Sequence, residues 1–345
     1  MKPYISKWFN LFFALPDDVL YFISGKKPIS VEKNVLDSGL QITLSVLNSF
    51  PQMEPISQTH SRFFLNTFSG LLEAPLEREC EVSNVEILVS APIGKIPMRI
   101  YNPSLSEEGN LPILVYAHGG GYINGSIDSH DRVCHLISQG AKCIVVSVGY
   151  RLAPEYKFPT AVYDVIDAYK WVWENANVLK GLKDKIAIGG DSAGGTLATV
   201  ASHELKKTKY RPYFQLLFYP GCNASRKPES VEKYGESFLL TKRLIERIIG
   251  TYLNKKEDTL SPLVSPILYN DFSELPPAYI STAGMDPISD DGIDYAKKLY
   301  SENIKVIHKN FSNLIHGYVN MTAIPACKKA LDDAIAELAK AFYTE

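Results

Sequence analysis

The sequence has no run of the roughly 20 uninterrupted apolar residues that a transmembrane helix requires, so none of its 345 residues is expected in a bilayer-spanning helix. It has no charge excess either. Lys plus Arg number 36 against 38 Asp plus Glu, a formal net charge of −2, which argues against a nucleic-acid partner and against a polyanionic substrate. It lacks a C-x-x-C pair: the five cysteines, Cys80, Cys134, Cys143, Cys222 and Cys327, stand far apart. That spacing argues against a zinc site or a dense disulfide framework and reads as reduced, mostly buried thiols. No metal and no cofactor is expected. Phosphate-cradling signatures are missing as well. No G-x-G-x-x-G follows an early strand, and the one triple-glycine loop, His118-Gly119-Gly120-Gly121, runs on to Tyr122-Ile123-Asn124-Gly125 instead of to the Lys-Ser/Thr pair of a Walker loop.

What is present is ordinary for a globular chain: 46% hydrophobic and 21% charged residues, with length for one large domain and an appendage or for two ordinary domains. Near the N-terminus, Lys2 and Lys7 precede an apolar run, 8–15, that is broken by Asn10 and stopped by Pro16-Asp17-Asp18. Without a small-x-small cleavage site this reads as an amphipathic helix that packs on the protein or touches a membrane surface, ahead of a signal peptide, and the expected location is cytoplasmic.

From about residue 82 short β-branched runs alternate with longer amphipathic ones. Strands are expected at 85–89, 98–101, 113–117, 143–148, 186–188, 214–219, 278–282 and 305–308, and helices at 130–139, 160–175, 193–207, 290–301 and 323–342. That alternation means a mostly parallel sheet covered on both faces, and the first two strands, with no helix between them, are expected as an antiparallel edge. Two stretches fall outside it. Residues 1–75 are rich in aromatics, including Phe9, Phe12, Phe13, Tyr21, Phe22, Phe50, Phe63, Phe64 and Phe68, with helical periodicity and no strand pattern. Residues 221–260 carry Leu244, Ile245, Ile248, Ile249 and Tyr252 at helical spacing. Both are expected to fold over the carboxyl ends of the strands as a cap.

Gly190-Asp191-Ser192-Ala193-Gly194 fits G-x-S-x-G between an expected strand and an expected helix. Such a turn holds the serine in a strained conformation and lifts its hydroxyl out of the sheet, and the helix N-terminus puts positive potential beneath it. Acyl transfer also needs N–H groups aimed at the oxygen that becomes negative. Gly120 and Gly121 are the favoured donors, Ala193 completes the set, and Gly119, which shapes the turn, is grouped with them in the oxyanion hole. His118 reads as a brace for that loop. A serine hydroxyl needs a base, and His316, in Asn313-Leu314-Ile315-His316-Gly317 between the last strand and the last helix, is the candidate. His308 falls inside a strand, while His60, His130, His135 and His203 precede the required position or lie on helices and read as surface or packing residues. Asp286 follows the strand at 278–282 and orients the base. Asp290, Asp291 and Asp294 come later and read as support for a helix N-terminus. The order Ser192, Asp286, His316 is that of hydrolases with a nucleophile elbow.

As a set, His118 to Gly125, Tyr150-Arg151-Leu152-Ala153-Pro154-Glu155, Phe158-Pro159, Gly190 to Gly195, Ser265-Pro266, Gly284-Met285-Asp286-Pro287 and His316-Gly317 resemble the hormone-sensitive-lipase-like family of esterases over about residues 80–345. The resemblance implies an α/β-hydrolase fold: a mostly parallel eight-stranded sheet with helices on both faces and a helical cap. It implies a cofactor-free enzyme acting on carboxylic esters of short to medium acyl chains. Arg151 would be bonded to a nearby carboxylate. The expected division is 1–75 as N-terminal cap segment, 76–220 and 261–345 as catalytic domain, and 221–260 as cap insertion. Amide, acetyl-sugar, carbamate or lactone substrates would use the same triad, and a ligand-binding protein on this fold would lack a triad member. The expected partner is a small-molecule ester, and an exposed sheet edge leaves room for a homodimer.

Overall fold

The computed structural model describes residues 2–49, 62, 69–103 and 109–344. Phe50, His60, Phe63, Phe64 and Phe68, noted above, lie outside these residues. The N-terminal part is helical over Lys2–Phe13, Asp17–Ser24 and Ser38–Ser49, but it also holds a small antiparallel ladder, β1 (Ser30–Val31) with β2 (Asn34–Val35). No strand was expected there, because a ladder of two residues a side is too short to carry a periodic signal.

The body is one sheet of eight strands: β3 (Glu81–Ser90), β4 (Ile93–Asn102), β5 (Leu111–Ala117), β6 (Ile144–Val148), β7 (Gly181–Asp191), β8 (Gln215–Phe218), β9 (Ala278–Met285) and β10 (Val306–Ile315), in the order β10-β9-β8-β7-β5-β6-β4-β3. The six strands from β10 to β6 run parallel, and β4 and β3 add the antiparallel edge. Side chains alternate between two apolar cores. On β5, Ile113, Val115 and Ala117 enter a core shared with the helices Thr160–Asn175 and Ala193–Leu205. Leu114 and Tyr116 enter the opposite one, with Asp131–Ala141 and Pro325–Tyr343. Every residue of β5 is buried, as a central strand covered on both faces must be.

Six strands, β3, β4, β5, β7, β9 and β10, are longer than the sequence pattern implies. β7 begins at Gly181, ahead of its apolar stretch, and β10 runs on through Asn310, Ser312 and Asn313 to Ile315. As an edge strand β10 exposes alternate residues, so polar side chains do not interrupt it. Register matters more to the site than length. Ala117 pairs with Gly190, Asp191 with Phe218, and Met285 with Ile315. The carboxyl ends of β5, β7, β9 and β10 are thereby level, and the loops that leave them meet.

Candidate active site

Asp191 ends β7 and Ala193 begins the next helix, so Ser192 alone turns the chain, at φ 53° and ψ −122°. A non-glycine residue held there costs about 1–3 kcal/mol and persists only where the surroundings enforce it. Here Ser192 N–H is tied to Phe218 O at 2.9 Å. Gly190 and Gly194 permit the turn, since a Cβ on either would run into the Ala117 carbonyl at the end of β5.

The hydroxyl so raised meets the other two loops. Ser192 Oγ lies 2.8 Å from His316 Nε2, and His316 Nδ1 lies 2.7 Å from Asp286 Oδ2. A carboxylate oxygen accepts, which sets the imidazole proton on Nδ1 and leaves Nε2 to accept from the serine hydroxyl. Asp286 is fully buried, and its other oxygen accepts from Ile288 N–H at 2.9 Å. The three residues named from chain order are therefore in mutual contact, on loops after three different strands.

The glycine loop needs one correction. Gly119 offers no donor to the site, because its N–H is already given to Asp191 Oδ1 at 2.8 Å. Gly120 and Gly121, at φ 120° and 64°, and Ala193 give their N–H groups to no described residue. His118 donates from Nδ1 to Gly119 O at 2.7 Å, and Tyr150 donates its hydroxyl to His118 O at 2.7 Å. Burial, and then the neighbouring His130, push the His118 pKa down to about 3, so it is a neutral brace at ordinary pH.

His130 is not the surface or packing residue expected of it. It is buried, with Nε2 at 3.2 Å from Asp191 Oδ1, while Tyr116 donates its hydroxyl to the same carboxylate at 2.9 Å. Burial alone would neutralise both partners. Their mutual attraction outweighs it, raising the His130 pKa above, and lowering the Asp191 pKa below, the ordinary value. The charged pair thus clamps the glycine loop to the elbow. The acidic residue at the free position of G-x-S-x-G was the available signal, but its partner lies 61 positions away.

Over these loops sits a cavity of about 130 Å³ that touches Gly121, Ser192 and Ala193. Its far wall is the helix Lys242–Tyr252, through Ile245, Ile248 and Ile249. The N-terminal segment closes over the same end of the sheet. Asp37 N–H donates to Asn313 O at 3.0 Å, Asn34 Nδ2 to Gly284 O at 3.2 Å, and Arg62 Nε to Ile123 O at 2.8 Å. Asp290, Asp291 and Asp294 do more than support the helix Ser289–Ser301. Asp290 accepts from Ser230 N–H at 3.0 Å, Asp291 from Asn223 N–H at 3.2 Å, and Asp294 pairs with Arg226, so they fasten the stretch after β8. The other oxygen of Asp291 has no partner among the described residues. Burial, reinforced by Asp286 and Asp290, raises its pKa to about 8. Arg151 is bonded to buried Asp164 at 2.6 Å, away from the cavity.

Residues 114–320 match a family model described as alpha/beta hydrolase fold. The chain is 34% identical over 321 residues to the carboxylic ester hydrolase LipN of Mycobacterium tuberculosis, covering 89% of this chain and 83% of that protein. It is 36% identical over 232 residues to an ethyl acetate hydrolase of Pseudomonas putida, covering 66% and 73%. Among solved structures it is similar to the ester hydrolase EH1AB1 from the metagenome of Lake Arreo, with a TM-score of 0.84, 32% identity and coverage of 88% and 98%.

Proposed function

The chain belongs to the hormone-sensitive-lipase-like carboxylic ester hydrolases of the alpha/beta-hydrolase superfamily, and from that premise we propose that Ser192, His316 and Asp286 are its catalytic triad and that Gly120, Gly121 and Ala193 form its oxyanion hole. Ser192 Oγ attacks the ester carbonyl carbon while His316 Nε2 takes the hydroxyl proton. The three N–H groups receive the negative oxygen, and the collapsing intermediate expels the alcohol, which leaves with the proton from His316. Water, deprotonated by the same imidazole, then attacks the acyl-enzyme and returns the serine. Asp286 holds the tautomer throughout.

The observation that carries this reading is the unbroken relay of 2.8 Å and 2.7 Å from serine to imidazole to buried carboxylate. Short acyl chains are favoured. The cavity of about 130 Å³ beside Ser192 is well under the roughly 300–1,000 Å³ of pockets for drug-sized ligands, and one relative is named for ethyl acetate. On this reading residues 76–220 and 261–345 are the catalytic domain, with 1–75 and 221–260 covering it. Five unbridged, buried cysteines fit a reducing compartment such as the cytoplasm.

The test is turnover of p-nitrophenyl esters from acetate to palmitate, with Ser192→Ala alongside. Activity should peak among the shorter acyl groups, and the variant should lose about 10⁴-fold or more. A folded Ser192→Ala protein that keeps even a tenth of the activity would remove Ser192 as nucleophile.

A further inference from the structure

The described surface has one concentration of exposed apolar side chains, and it is remote from the chemistry in sequence. Nine of its 19 exposed large hydrophobic residues fall between Trp8 and Leu47, and the other ten are spread over the rest of the chain. On the helix Lys2–Phe13, Phe13 turns inward against Leu36 and Leu40, while Trp8 and Leu11 stand 74% and 66% exposed. Leu15 follows in the short link to the helix Asp17–Ser24. There Leu20 is buried and Val19, Phe22 and Ile23 face outward, Phe22 at 86%. The exposed positions 8, 11, 15 and 19, 22, 23 repeat at helical spacing, so each helix has an apolar stripe turned away from the protein. Val46 and Leu47, on the helix Ser38–Ser49 packed beside it, are exposed too. A monomer that leaves this much apolar surface in one place has something to put on it.

Charge indicates what. Residues 1–35 contain five lysines and three carboxylates in a chain whose net charge is −2. Two of the carboxylates are engaged: Asp17 accepts from Ser38 Oγ at 2.7 Å, and Glu32 pairs with Lys233 at 2.8 Å. Asp18 is the third. Lys26, Lys27 and Lys33 are exposed, with no ion pair among the described residues. Apolar stripes flanked by unpaired lysines supply the two signals that stable attachment to a lipid surface needs, burial of apolar side chains among acyl chains and attraction to anionic headgroups.

We propose that the helices Lys2–Phe13 and Asp17–Ser24 form a docking face for an anionic bilayer, with Trp8, Leu11, Phe22 and Ile23 entering the interface and Lys26, Lys27 and Lys33 meeting headgroups. The position of the face gives docking a consequence that rests on the esterase reading. The same segment is bonded to Asn313 and Gly284, beside His316 and Asp286. Exposed Leu239, against Gly317, extends apolar surface to the rim of the site. Docked in this way, the enzyme takes esters that partition into the membrane. No helix among the described residues is long and apolar enough to cross one, so attachment is to one leaflet.

The experiment is sedimentation of the full chain with vesicles of phosphatidylcholine alone and with added phosphatidylglycerol. Wild type should bind the anionic vesicles and bind the neutral ones less. Trp8→Ser/Phe22→Ser and, separately, Lys26→Glu/Lys27→Glu should each weaken partitioning by roughly tenfold or more, with hydrolysis of a water-soluble short ester unchanged. The lysine pair is wholly on the surface and carries the test if the apolar pair fails to fold. Binding is read without turnover, so a failed esterase reading and a failed docking face are distinguishable. The proposal is overturned if wild type ignores anionic vesicles, or if both variants bind like wild type. It is overturned as well if Trp8→Ser/Phe22→Ser turns a dimer into monomers without any vesicle binding, because the face then serves a second copy of the chain.

Discussion

The cavity beside Ser192 has two walls held by different physics. On the sheet side, the glycine loop and the elbow are fixed by buried polar bonds: Asp191 alone receives Tyr116 Oη, Gly119 N and His130 Nε2 within 3.2 Å. On the covering side, the helix Lys242–Tyr252 presents Ile245, Ile248 and Ile249, aliphatic groups whose contacts are non-directional. Directional bonds over-determine positions to fractions of an ångström, as aiming N–H groups at a developing oxyanion requires. Aliphatic packing sets volume and tolerates exchange. On the proposed function, the difference separates a wall that performs chemistry from a wall that selects the acyl group, and each can be perturbed alone.

The largest effect is expected on the sheet side. Asp191→Asn removes the charge that favours the protonated form of His130 and leaves a single uncharged amide oxygen to accept from Gly119, Tyr116 and His130. Breaking a buried ion pair by deleting one partner costs about 3–5 kcal/mol, and loss of an aligned oxyanion donor costs about 10²–10³ in kcat. Thermal unfolding and kcat should therefore fall together, with KM for short esters changing little. The pair also makes a pH prediction. With the His130 pKa raised, its stabilisation is complete below its unfolded pKa of about 6.5 and is lost as pH rises through the higher folded value. If Asp191→Asn left kcat intact, the loop would be held by its own backbone and the contrast between the walls would be lost.

A smaller effect is expected where the two walls join. Asp291, in the first turn of the helix Ser289–Ser301, accepts from Asn223 N–H and lines the cavity. Its pKa of about 8 means the folded state keeps a proton that the unfolded state has lost above about pH 4, so stability declines as pH rises between these values. Asp291→Asn should remove a slope of up to about 1.4 kcal/mol per pH unit. The measurement is urea unfolding of both proteins from pH 5 to pH 9: their difference should grow to about pH 8 and then level off. A difference independent of pH would mean that the Asp291 carboxyl ionises freely and that the junction is wetter than its burial implies.

The two walls were also unequally legible in the sequence. Ser192, Asp286 and His316 could be named because chain order, strand tips and the two glycines of the elbow each constrain the choice. The alternation on β5 and its neighbours was readable because both faces are buried. By contrast, the Asp191–His130 pair joins an elbow residue to one just before a distant helix, and no spacing rule connects them. Gly119 was grouped with the donors since a glycine N–H looks the same in sequence whether free or taken. The polar residues that carry β10 to Ile315 hid its length, and the short β1–β2 ladder has no pattern to read. Residues 244–252 announced a helix but not its direction over the cavity, because aliphatic packing leaves no signature beyond periodicity.

Ile248 offers the smallest effect and the sharpest division between the walls. A Cβ on Gly121 would meet the Ile248 side chain, so this residue reaches across the cavity to the glycine loop, and Ile248→Ala opens space directly beside Ser192. Discrimination by an apolar pocket is worth about 1–3 kcal/mol per methylene. The ratio of kcat/KM for a longer acyl ester to that for acetate should therefore rise roughly ten- to a hundredfold, with kcat on acetate largely kept. The opposite result is a uniform fall in kcat across the acyl series. It would mean that Ile248 presses the glycine loop into place, so that covering side chains share in aiming the N–H groups and the two walls form one device.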